Sequence, residues 1–72
     1  MTHKLTDLEK SLIIAYANHD MNRSKTAKHL YMSDATVSYH LDLIYAKTGV
    51  NPRSFFGLLY LLTKCFEDVN YD

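Results

Sequence analysis

Apolar residues recur at helical spacing in four stretches, and polar residues fill the gaps between them. Leu8, Leu12, Ala15 and Tyr16 make the first stripe, widened by Ile13 and Ile14. Ahead of it, Thr6 to Glu9 has the capping-box pattern: Thr6 caps the first turn and Glu9 reaches back to it. Leu5 precedes the cap as a hydrophobic staple on an otherwise frayed start over residues 1–5. These signals predict a helix over 7–18. A polar break follows, His19-Asp20-Met21-Asn22, with neither glycine nor proline to fix its edges. A second helix is predicted over 23–30, where Ala27 is small enough to let another helix approach and Leu30 closes the inner face. After a turn at Tyr31-Met32, Ser33 is placed to cap a third helix over 34–48, with Asp34 at its positive end. Val37, Leu41, Ile44 and Thr48 form its inner stripe, and Gly49 supplies the left-handed residue that ends it. Asn51 as cap and Pro52 as first helical residue predict a fourth helix over 52–67. The tail over 68–72 reads as loose.

The spacing of Ala27, Leu30, Val37 and Leu41 is that of a helix-turn-helix. Opposite the stripe, the third helix carries Ala35, Tyr39 and Asp42, with Ser38 on the flank. Such a unit presents this outer face to the major groove of DNA. The fourth helix has more apolar circumference than three short helices can cover. Phe55, Leu59, Leu62 and Phe66 lie on one face, while Phe56, Leu58, Tyr60 and Leu61 spread around the remainder. One reading makes it a central core helix. The other packs one face on the bundle and gives the rest to an identical copy, with Phe56, Tyr60, Leu61 and Cys65 at a two-fold interface.

Composition narrows the class. A chain of 72 residues, 47% of them hydrophobic, supports one domain with one small core. Two glycines and one proline leave too little turn material for a β-rich fold, so the expectation is all-α, a four-helix bundle over residues 1–72. The single Cys65 excludes an intrachain disulfide and a multi-cysteine zinc site. His3, His19, His29 and His40 match no zinc signature, and no metal or other cofactor is expected. There is no apolar signal-peptide core at the start and no run of about 20 apolar residues for a membrane span. No glycine-rich phosphate loop, nucleophile elbow or recognisable carboxylate pair points to an enzyme.

Net charge is zero, yet it is unevenly spread. Residues 21–53 hold five basic and two acidic side chains, giving +3, and the remainder holds three basic and six acidic, giving −3. Lys25, Lys28 and Lys47 flank the third helix, where phosphate contacts add sequence-independent affinity. Ser33 serves as cap alone or as cap and phosphate donor together.

Thr36-Val37, His40-Leu41, Ile44-Tyr45, Lys47, Gly49-Val50 and Arg53 resemble, in order and spacing, the pattern of LuxR/GerE-type DNA-binding domains. Leu5-Thr6 with Glu9 is similar to the opening of that domain, and Ser33-Asp34 to its third-helix cap. The C-terminal helix-turn-helix of PucR-type regulators is also similar, through Leu30-Tyr31, Thr36-Val37, Tyr39 and Thr48-Gly49. Either resemblance implies a bacterial transcription regulator with its third helix in the major groove, its second across the backbone and its fourth in a homodimer. Carried over by position, base-edge contacts come from Ala35, Ser38, Tyr39 and Asp42, and phosphate contacts from Lys25, Thr36, His40 and Lys47. This chain departs from the usual pattern at Ser38, where a basic residue is common, at Thr26, where Ile is common, and at Asp42, which brings an acid to the groove face. An Asp there is repelled by phosphate but can accept from cytosine N4.

The reading is a small stand-alone regulator, cytoplasmic and nucleoid-associated when bound, whose partners are double-stranded DNA, a second copy, and in some circumstances a separate regulatory protein. The rival is a protein-interaction module that kept the fold, weakened its DNA binding and regulates another protein. Zero net charge, Ser38 and Asp42 favour the rival; the basic flank and the capped third helix favour the first.

Overall fold

The computed structural model describes residues 5–67. Their regular structure is entirely helical: α1 (Asp7–Asn18), α2 (Arg23–Leu30), α3 (Asp34–Thr48) and α4 (Phe55–Glu67). The expected loose tail over 68–72 and the start before Leu5 lie outside the described residues. Leu5 itself is buried in the core rather than frayed.

The capping box at the start of α1 is closed in both directions. The Thr6 hydroxyl accepts from the Glu9 N–H at 3.1 Å, and the Thr6 N–H donates to Glu9 Oε1 at 2.9 Å. Leu12, Ala15 and Tyr16 are buried as expected, with Ile13 beside them, and Glu9 joins them on the inner face. Leu8, expected in the core, is 43% exposed. A carboxylate takes the inward position because the Lys47 ammonium of α3 meets it there.

Polar breaks without glycine become tight turns by one shared device. At the end of α1 the Met21 N–H donates to the Tyr16 carbonyl at 2.8 Å and Asp20 N–H to that of Ala17 at 3.3 Å. At the end of α2 the Met32 N–H donates to the Ala27 carbonyl at 2.8 Å and Tyr31 N–H to that of Lys28 at 3.3 Å. Both are the paired bonds of a Schellman motif, which satisfies orphan carbonyls and needs a left-handed residue. Asp20 and Tyr31 take that conformation, at φ 59° and 57°. The following methionines, Met21 and Met32, tuck against the core.

Ser33 caps α3 by accepting from the Thr36 N–H at 3.1 Å. Val37, Leu41 and Ile44 are buried as the stripe requires. Thr48, placed in the same stripe, is only half-buried: its hydroxyl donates to the Ile44 carbonyl at 2.7 Å and accepts from the Val50 N–H at 3.1 Å. Gly49 ends the helix at φ 75°.

The fourth helix starts three residues later than expected. Asn51 organises a turn instead of capping a helix: its side chain accepts from Arg53 N–H at 3.0 Å and its carbonyl from Ser54 N–H at 3.1 Å. Pro52 is buried in this turn. The first α4 bond runs from Leu58 N–H to the Ser54 carbonyl at 2.8 Å, with the Ser54 hydroxyl accepting from Gly57 N–H at 3.4 Å. Gly57 is required by close approach, since a Cβ there would fall 2.1 Å from the Asn51 carbonyl oxygen.

α1 packs on each of the other three helices, α2 packs on α3, and α4 packs on α1. α4 turns Leu58, Leu61 and Cys65 inward, a face set by that contact with α1. The resulting core joins Leu5, Leu12, Ile13, Tyr16, Ala27, Val37, Leu41, Ile44, Leu58, Leu61 and Cys65.

Candidate nucleic-acid interface

The inner stripe of α3 anchors it on α1 and α2, so its other side is held rigidly toward solvent. Ala35, Tyr39 and Asp42 are exposed there and Ser38 is half-buried, as the helical spacing requires. The side chains around them are not free, however. Asp34, Ser38 and Asp42 stand four residues apart and form one ridge along α3. Two arginines lie against it. Arg23, from the first turn of α2, donates to Ser38 Oγ at 3.1 Å and lies 3.9 Å from Asp34 Oδ2, which also accepts from the Ser24 hydroxyl at 2.7 Å. Arg53, from the turn before α4, donates to Asp42 Oδ1 at 2.8 Å and to the Ser38 carbonyl at 3.4 Å. Thus Asp42, read as a bare acid on the groove face, is an ion-paired one.

The expected phosphate contacts divide. Lys25 and Lys28 are exposed and make no side-chain bond or ion pair among the described residues. Lys47 is diverted. Its ammonium sits 2.6 Å from Glu9 Oε1 with only 27% of the side chain exposed, so it braces α3 on α1 rather than reaching outward. Burial alone would raise the Glu9 carboxyl, but the Lys47 hydrogen bond, the Thr6 amide and the Lys47 charge outweigh it and hold the group below its ordinary value. Ser33 and Thr36 share a hydroxyl–hydroxyl bond of 2.8 Å at the exposed start of α3. His40 meets Tyr39 edge to face, with centroids 5.5 Å apart.

The predicted dimer residues also divide. Phe56 is 79% exposed and Tyr60 is exposed. Leu61 and Cys65 are buried in the chain's own core, which removes them from any outer face. The solvent side of α4 is completed instead by Phe55, Leu59 and Phe66. His19, just after α1, and His29, in α2, come together with ring centroids 4.9 Å apart. No group of three potential metal ligands occurs among the described residues.

Composition places Arg23 and Arg53 in the basic stretch over residues 21–53 without indicating what either contacts. Their signal in the sequence is faint: the partners lie 15 and 11 positions away, and only the fold brings them together.

Residues 11–65, from within α1 to the last turn of α4, match the family model of the PucR C-terminal helix-turn-helix domain. The chain belongs to that family. Of the two resemblances, the match supports the PucR one and leaves the LuxR/GerE one unsupported. No curated protein and no solved structure matches the chain significantly. Membership in the PucR-type helix-turn-helix family makes this a regulatory domain of a typically non-enzymatic kind and points to DNA as its ligand. No helix among the described residues is long and apolar enough to cross a membrane.

Proposed function

We propose that this PucR-type domain is a DNA-binding transcription regulator that lays α3 in the major groove and α2 across the phosphate backbone. The observation that carries this reading is the outer side of α3: Ala35, Ser38, Tyr39 and Asp42 occupy it, clear of the core, on a helix capped at the end that enters the groove first. Ala35 offers a methyl for thymine, Ser38 and Tyr39 offer hydroxyls, and Asp42 can accept from cytosine N4. Lys25, Lys28, Ser33, Thr36 and His40 surround it as phosphate contacts, with Lys47 withdrawn from that set. Such a protein works in the cytoplasm, on the nucleoid.

Two copies join through α4. The support is its solvent side, where the large side chains of Phe55, Phe56, Leu59, Tyr60 and Phe66 are all exposed, a grouping of the kind that marks an interaction surface. A two-fold contact pairs that surface with itself and sets two α3 helices to read half-sites one helical turn apart.

The alternative, an interaction module for another regulator, draws support from the ridge on α3, where both arginines are neutralised by the chain's own carboxylates. Titrating ¹⁵N-labelled protein with duplex DNA distinguishes the readings. Groove binding moves amide resonances over residues 33–42 and at Lys25 and Lys28. Shifts confined to α4, or none, contradict it.

A further inference from the structure

Asp34, Ser38 and Asp42 form the ridge on α3, and Arg23 and Arg53 meet it toward its two ends. Arg23 bridges Asp34 and Ser38; Arg53 bridges Ser38 and Asp42. Each arginine is anchored on a different element, so each can swing away without disturbing α3. All four charged side chains are solvent-exposed by about two-fifths or more, so the two ion pairs are worth little in water. A DNA phosphate offers a guanidinium the same bidentate geometry as a carboxylate, and phosphates line both walls of the groove that α3 enters.

The geometry points to Arg23 and Arg53 as phosphate-gripping residues held in reserve, with Asp34 and Asp42 as intramolecular stand-ins for the phosphates. This rests on the DNA-binding reading. In the free domain each carboxylate occupies its arginine; on the duplex each arginine exchanges that carboxylate for a backbone phosphate. The carboxylates therefore hold down affinity for any duplex. They also release the domain readily, and they explain how a groove-facing helix functions in a chain of zero net charge.

The test is fluorescence anisotropy of a labelled mixed-sequence duplex over a range of salt, with Asp34→Asn, Asp42→Asn and the double variant. Each single variant is expected to bind about two- to fivefold more tightly, the scale of an exposed ion pair. The salt slope stays unchanged, because the arginines already reach phosphate in the wild-type complex. Arg53→Ala makes the slope shallower by about 0.9, one phosphate contact. Glu67→Gln, which removes one negative charge from the far end of α4, leaves affinity within about twofold, since a single remote surface charge is largely screened.

Equal or weaker binding by the Asn variants overturns the masking. So does a slope steeper by about 0.9 per variant, which means the ion pairs stay closed on DNA in the wild type. An equal gain from Glu67→Gln assigns the effect to net charge and overturns it too. If neither wild type nor double variant binds at low salt, the DNA-binding reading itself falls. If only the double variant binds, the carboxylates block DNA outright instead of exchanging with phosphate, and the proposed exchange is overturned. Circular dichroism melts confirm that the variants compared are folded.

Discussion

Glu9 and Lys47 stand 38 positions apart and meet at 2.6 Å. The pair changes the meaning of both residues. Glu9 reads in the sequence as a local cap, and it is one; it is also the buried counter-charge that fixes α3 on α1. Because its carboxyl is held below the ordinary value, the folded state favours the ionised form. That stability is present above about pH 4.5 and is lost as pH falls through the folded value. The melting temperature should therefore fall as pH drops below about 4.5, and Glu9→Gln should flatten that part of the profile. A wild-type profile as flat as the variant's contradicts the pairing. Lys47→Met should cost about 1–3 kcal/mol in urea unfolding while leaving DNA affinity of the folded protein nearly unchanged. Tyr31 is the opposite kind of residue, 97% exposed and left-handed at φ 57°. A side chain there costs about 1–2 kcal/mol that glycine avoids, so Tyr31→Gly should raise stability by about 1 kcal/mol.

At the level of elements, the local signals gave true positions wherever the deciding residues are near neighbours. The first three helices occupy 7–18, 23–30 and 34–48, because Thr6, Ser33 and Gly49 act within one turn of themselves. The fourth helix departs from expectation because its start and face are set by contacts at a distance. Asn51 spends its side chain and carbonyl on a turn, and Gly57 packs against that turn so closely that Gly57→Ala should destabilise by about 1–3 kcal/mol. The apolar residues of α4 spread too far round its circumference for their spacing to mark the edge of the buried face; packing on α1 selects Leu58, Leu61 and Cys65. The two sides should respond differently to the same charge. Phe56→Glu should leave the helical signal intact and halve the mass seen by sedimentation equilibrium. Leu61→Glu buries a carboxylate in the core and should unfold the domain. A wild type that sediments as a monomer at high micromolar concentration removes the dimer.

The whole molecule was legible as a four-helix, helix-turn-helix fold, and Ala35, Tyr39 and Asp42 lie on the solvent side of α3 that their spacing dictates. What composition concealed is how charge is arranged. The +3 excess over residues 21–53 is real, yet Lys47, Arg23 and Arg53 are each matched to a carboxylate. Lys25 and Lys28 are exposed beside α3 and have no ion pair among the described residues. Lys25→Glu and Lys28→Glu should thus weaken binding to unrelated duplexes alike, each making the salt slope shallower by about 0.9. The most direct measurement is wild-type anisotropy on labelled duplex DNA across about 50 to 200 mM salt. The account predicts micromolar or tighter binding at low salt that weakens by tenfold or more over that range, the mark of several phosphate contacts. Failure to bind at the lowest salt would contradict it and leave α3 as a scaffold.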